Sequence, residues 1–191
     1  MKLRFFRLML LCGLLLLITG GPAPAAGDRD PATKDIIVTT SESDLLLFAT
    51  VRNAFTEEML AGVLQGLPVV FTFRMELVKS RKHWLDITLV ESSVTHTMTW
   101  DAEQEEYHVA LSEDEGRVVT TASLDEARRL MTELNGVKVI TLDKLVPDAP
   151  YAIHFKVTLK KGSLPLGLSN LAPAAIWGDF ETDWRTIEFR Y

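Results

Sequence analysis

Cysteine is almost missing from this chain of 191 residues, whose one thiol, Cys12, lies in an apolar stretch near the amino terminus. A lone cysteine closes no internal disulfide, and past residue 12 there is no thiol to serve as a nucleophile or a metal ligand. Also missing are a glycine-rich phosphate loop, a G-x-S-x-G elbow and an H-E-x-x-H pair, the sequence signatures of nucleotide binding, serine hydrolysis and zinc proteolysis. The four histidines, His83, His96, His108 and His154, are scattered rather than paired at helical spacing. They read as surface or internally satisfied side chains, and no metal or cofactor is called for. Asn53, Asn135 and Asn170 are each followed by the wrong residues for glycosylation.

Positive charge is outnumbered overall, with 20 basic against 26 acidic side chains, but the start of the chain carries basic residues alone. Lys2, Arg4 and Arg7 precede an apolar run from Leu8 to Ile18, and Ala23-Pro24-Ala25-Ala26 then offers the small residues a signal peptidase needs. The run is shorter than the roughly 20 residues a stable spanning helix requires, so residues 1–26 read as a cleaved signal peptide, with an uncleaved amino-terminal anchor as the alternative. Residues 27–34 read as a flexible tether and 35–191 as a single domain. Removing the three basic residues of the signal from a chain with 20 basic and 26 acidic side chains takes the formal charge from −6 to −9. That balance disfavours nucleic acid and anionic membrane surfaces as partners. An exported chain without disulfides or glycosylation sites points to the bacterial periplasm.

Alternation sets the expected elements. Ile36–Thr40 and Leu45–Arg52 read as strands, and Thr56 caps a helix running to about Gln65, whose apolar face is Met59, Leu60, Val63 and Leu64 and whose stop is Gly66. Val69, Phe71, Phe73, Met75 and Leu77 alternate with polar neighbours in the strongest strand signal. A long strand is expected from Trp84, with a bulge near Glu91-Ser92-Ser93, because Leu85, Ile87 and Leu89 share one parity while Val94, Met98 and Trp100 share the other. Tyr107–Leu111 and Arg117–Thr121 follow as strands. Ser123 and Glu126 match a capping box before a helix through Leu134 that ends at Gly136. Val137–Leu142, Tyr151–Leu159 and Trp184–Tyr191 complete the strands. The expected fold is α+β, a mainly antiparallel curved sheet with two packed helices, and the order strand, helix, strand, strand, strand occurs twice, at 45–111 and 117–191.

Three features remain as candidates for function. Asp86, Glu91, Asp101, Glu103, Glu105 and Glu106 crowd one hairpin, but a charge run is usually a solvated face, and no apolar pocket is evident to separate two carboxyl pKa values. Residues 162–180 hold Leu164, Leu166, Leu168, Leu171, Ile176 and Trp177 without a period, which reads as a loop folded over the core or as a patch that receives a partner. Arg81, His83, Trp84 and Asp86 mix charge with an aromatic, either as a recognition corner or as a salt bridge over a packed ring.

An ordered set of residues then resembles the DUF4390 family of exported bacterial proteins of unknown function. It comprises Gly66-Leu67-Pro68-Val69 into Phe71-Thr72-Phe73, Glu76-Leu77, Arg81, Trp84, Asp86, Tyr107-His108-Val109, Ser123 to Ala127, Leu164-Pro165 and Trp184 to Phe189. The resemblance covers nearly the whole chain after the signal and carries no catalytic or ligand residues. It implies an accessory role beside a membrane sensor histidine kinase of the nitrogen-regulation type, while Ala172 to Trp177 departs from the family pattern. The expected function is a non-catalytic envelope domain that binds a protein partner, with Arg81, Trp84, Asp86, Leu168 and Trp177 as candidate contact residues. The alternative is a carrier or sensor of a small apolar ligand.

Overall fold

Side chains that alternate between apolar and polar bury one face of each strand, and that pattern builds the computed structural model of the chain, which describes residues 30–82, 84–160 and 180–191. The elements are β1 (Ala32–Thr40), β2 (Asp44–Arg52), α1 (Glu57–Leu64), β3 (Val69–Lys79), β4 (Ile87–Asp101), β5 (Glu106–Leu111), β6 (Arg117–Thr121), α2 (Leu124–Thr132), β7 (Glu133–Thr141), β8 (Pro150–Lys160), β9 (Phe180–Glu181) and β10 (Arg185–Arg190). Among the described residues every strand pairing is antiparallel. The class is α+β, as expected, but the strands divide between two open sheets. One has the order β1-β2-β7. The other has the order β10-β8-β3-β4-β5-β6, with β9 also on β8.

A single buried cluster draws on both sheets and both helices. Leu45, Leu47, Ala49 and Val51 of β2 meet Phe71, Phe73, Met75 and Leu77 of β3, Ile153, Phe155 and Val157 of β8, and Met59 and Met131 of the helices. Strand pairing starts at Ala32, ahead of Ile36 and inside the stretch that reads as a tether, with Ala32 opposite Arg52. The Thr33 hydroxyl is bonded to that of Thr182 at 3.4 Å, which ties β1 to the segment before β10.

Both helices begin where expected. The Thr56 hydroxyl accepts from the Met59 amide at 3.3 Å, with Glu57 and Glu58 in the first turn. Gly66, at φ +85°, closes α1 as the Leu67 amide reaches back to the Gly62 carbonyl at 3.0 Å. Leu64 is exposed, so the buried face is Met59, Leu60 and Val63. At α2 the Ser123 hydroxyl accepts from the Glu126 amide at 3.3 Å, but the Glu126 carboxylate turns to the Thr121 hydroxyl at 2.7 Å. Thr121 in turn accepts from the Ser123 amide at 3.1 Å.

Three expectations need correction. First, α2 stops at Thr132, and Glu133–Thr141 is strand β7, with Leu134 opposite Ala49. Gly136 is therefore no helix stop. It sits at φ +73° where Phe48 alone faces Asn135 and Gly136, a bulge that the long-range pairing with β2 imposes. Second, β4 starts at Ile87, not Trp84, and its extra residue is Leu89, because Val90 pairs with Leu77 while Thr88 pairs with Val78. Leu85, Ile87 and Leu89 are exposed and form no second core face, so the parity change marks the end of the core. Third, the strand–helix–strand–strand–strand order recurs along the chain without recurring in space. β3, β4 and β5 are neighbours in one sheet, whereas β7 and β8 lie in different sheets.

Candidate functional site

The end of the β3–β4 hairpin gathers the first three candidates. β3 stops pairing with β8 after Lys79, and the Ser80 amide donates to the Pro150 carbonyl at 3.0 Å. Arg81 then braces the loop from two sides. Its amide donates to Asp86 Oδ1 at 3.0 Å, and its Nε donates to the Leu85 carbonyl at 2.8 Å. Arg81 and Asp86 are thus brought together, but through the backbone amide of Arg81 and not through a salt bridge of side chains. Trp84 is no packed ring. It is 77% exposed and Leu85 is 87% exposed, the highest values among the exposed large hydrophobic side chains of the described residues. A loop braced by two hydrogen bonds that holds its most apolar side chains in water has the form of a contact surface. Leu168 and Trp177, with the whole apolar run around them, lie outside the described residues.

The same hairpin has an open edge that periodicity does not reveal. β5 pairs with β4 only from His96 to Asp101. Past that point the Thr95 amide is taken by the Ser112 hydroxyl at 2.8 Å, and among the described residues no strand pairs with the far side of residues 87–93. In an antiparallel ladder the amide and carbonyl of one residue point to the same side, and the side alternates. Counting back from Thr95, Ser93 and Glu91 face the open side. On the wet face of this stretch Glu76 stands opposite Glu91 and Arg74 opposite Ser93, around a cleft of about 370 Å³.

A second site lies farther along β4, where its pairing with β5 begins. His96 is fully buried, with its ring 4.8 Å from that of Phe73, and its Nε2 is 2.7 Å from Glu113 Oε1. Glu113 comes from the one-turn helix Ser112–Asp114 and also lines a cleft of about 520 Å³ with Arg117, Leu130, Asn135 and Lys138. Burial acts to raise the Glu113 carboxyl, but the bond from His96, a bond from its own backbone and the His96 charge together hold it below its ordinary value. His96 Nδ1 has no partner among the described residues. Of the two readings of the histidines, surface or internally satisfied, the burial of His96 excludes the surface one. Its partner was not legible, because Glu113 reads as part of an acidic turn.

The other candidates take structural roles. Asp101 accepts from the Glu103 and Gln104 amides at 2.8 and 3.1 Å, which closes the β4–β5 turn, and the Gln104 and Glu103 bonds lower its carboxyl. His154 Nδ1 is 3.0 Å from the Thr186 hydroxyl across β8 and β10. Trp184 is half-exposed beneath the Lys156 ammonium, 4.7 Å from the ring centre, and Lys156 also bonds Glu181. No group of histidine and acidic side chains among the described residues is arranged to hold a metal ion, and no described helix is long and apolar enough to cross a membrane.

The chain is similar to one family model, the domain of unknown function DUF4390, over residues 29–188. Nothing among the curated proteins and nothing among the solved structures matches it. With that much of its length matched, the chain belongs to the DUF4390 family.

Proposed function

We propose that this DUF4390 member is an exported, non-catalytic domain of the bacterial envelope that acts by docking a protein partner on the outer end of its β3–β4 hairpin. The observation that carries the reading is the pair Trp84 and Leu85, held in water by a loop that Arg81 and Asp86 keep in shape. Ordering such side chains costs free energy unless something covers them, and a braced loop has already met part of the entropy cost of binding. A membrane sensor histidine kinase is the partner class that the family resemblance suggests. The alternative reading, a carrier of a small apolar ligand, finds less support in the described clefts, which are edged by Arg74, Glu76 and Glu91 or by Glu113, Arg117 and Lys138.

Photo-crosslinking in living cells tests the proposal. A reactive side chain placed at Trp84 or Leu85 should yield one discrete protein adduct, and the same group at the exposed Ile37 of β1 should not. Equal labelling from all three positions, or from none, would sink it. Native mass spectrometry of protein taken from its own compartment separates the alternative, since a co-purifying small molecule would favour the carrier.

A further inference from the structure

Resting on the proposed function above, we infer that the partner docks as an extended segment that adds antiparallel to β4 along residues 87–93, with a basic side chain against Glu76 and Glu91. Three observations carry this. The backbone of Ser93 and Glu91 presents amides and carbonyls to a side that no described strand occupies, next to a strand already fixed on its other side by β3. Such an edge is a template for one more strand, and main-chain bonds supply the affinity in this mode of recognition. Past the bulge at Leu89 the edge leads to Ile87 and then to the exposed Leu85 and Trp84 of the loop. The bulge at Leu89 and the acid at Glu91 narrow what can pair there.

Charge sets the chemistry of the occupant. Glu76 and Glu91 face each other across the ladder, a like-charge pair with only Arg74 of the same cleft to offset it. Lys156, the neighbour of Arg74 on β8, is already bonded to Glu181. A lysine or arginine brought in by the added strand would relieve that repulsion. β4 runs from the loop toward the core, so an antiparallel strand runs the other way. Its amino end meets Glu91, its middle meets Leu89 and Ile87, and its carboxyl end lies toward the hairpin loop that carries Arg81 and Lys82, with Lys79 across β4 on β3. The matching segment is basic first, then two apolar residues in alternation, then acidic.

The test uses the full chain and a synthetic heptapeptide, Lys-Thr-Val-Thr-Ile-Thr-Asp, with the order-reversed charges Asp-Thr-Val-Thr-Ile-Thr-Lys as its control, read by residue-resolved hydrogen exchange. The Glu91 and Ser93 amides should exchange freely in the protein alone and about tenfold or more slowly with the lysine-first peptide. Glu91→Lys should invert the preference between the two peptides. Ser93→Pro, which removes an amide that no described strand uses, should weaken binding about tenfold. Protection before any peptide is added would overturn the inference, as would equal or no response to the two peptides, or protection by phosphatidylglycerol vesicles in their place. A crosslink from Trp84 that survives Ser93→Pro and Glu91→Lys overturns strand addition and leaves the proposed function standing. Peptide pairing without any crosslinked protein in cells overturns the proposed function alone.

Discussion

His96 and Glu113 stand 2.7 Å apart through Nε2 and Oε1, so a fully buried ring on β4 is held by a carboxylate that opens onto a cleft. The pair fixes the turn after β5 against the core. It also lies beside Ser112, which ends the pairing of β4 with β5 and so begins the open edge. A charge-assisted bond at this depth is stronger than a neutral one, and losing one partner strands the other.

Glu113→Gln should therefore cost about 1–2 kcal/mol of stability at neutral pH, since the carboxylate is only partly shielded from water. The Glu113 carboxyl lies below its ordinary value of 4.5 in the folded chain. A depressed acid favours the folded state above that ordinary value and loses its contribution as pH falls through the folded one. The gap between wild type and Glu113→Gln should thus be full above about pH 5 and shrink below about pH 4.5. Urea unfolding at a series of pH values measures it, and a gap that holds constant down to pH 3 would contradict the assignment.

Aromatic residues of this chain should split into two classes. Phe73→Ala empties a fully buried site between His96 and Phe155 and should cost about 3–5 kcal/mol. Trp84→Ala should change stability by less than about 0.5 kcal/mol, because the ring is 77% exposed. Thermal melts of the two variants decide it. A large loss from Trp84→Ala would show that the ring is packed and would remove the basis of the docking surface.

Two glycines at positive φ should respond differently to alanine. At Gly66 nothing lies within 4 Å of an added Cβ, so the cost should be the backbone strain of a left-handed alanine, about 1 kcal/mol. At Gly136 the same atom would come within 3.3 Å of the Phe48 ring, and the loss should be larger. Chemical denaturation in a Phe48→Ala background should reduce the Gly136→Ala penalty toward that of Gly66→Ala. Equal penalties in both backgrounds would mean that the ring gives way freely.

Export is tested by sequencing the amino terminus of the protein recovered outside the cytosol. The expected first residue is close to Ala26 or Gly27. Intact chain beginning at Met1 in the cytosolic fraction would refute the proposed compartment.

Alternation and end signals are local properties, and they sufficed for much of this protein. The core faces of β3 and β8, the starts of both helices at Thr56 and Ser123, the stop at Gly66 and the family resemblance were all readable from the order of residues. Three outcomes belonged to the tertiary structure. Residues 133–136 look helical alone, yet β2 captures them as strand because pairing satisfies their backbone and buries Leu134. Trp84 and Leu85 carry an apolar signature like that of any core residue, but β4 outruns β5, so the end of the hairpin lies beyond the reach of the core. His96 acquires Glu113, and β4 its open edge, only when strands of unequal length are laid side by side, since stagger depends on partners distant in sequence and no periodicity within one strand encodes it.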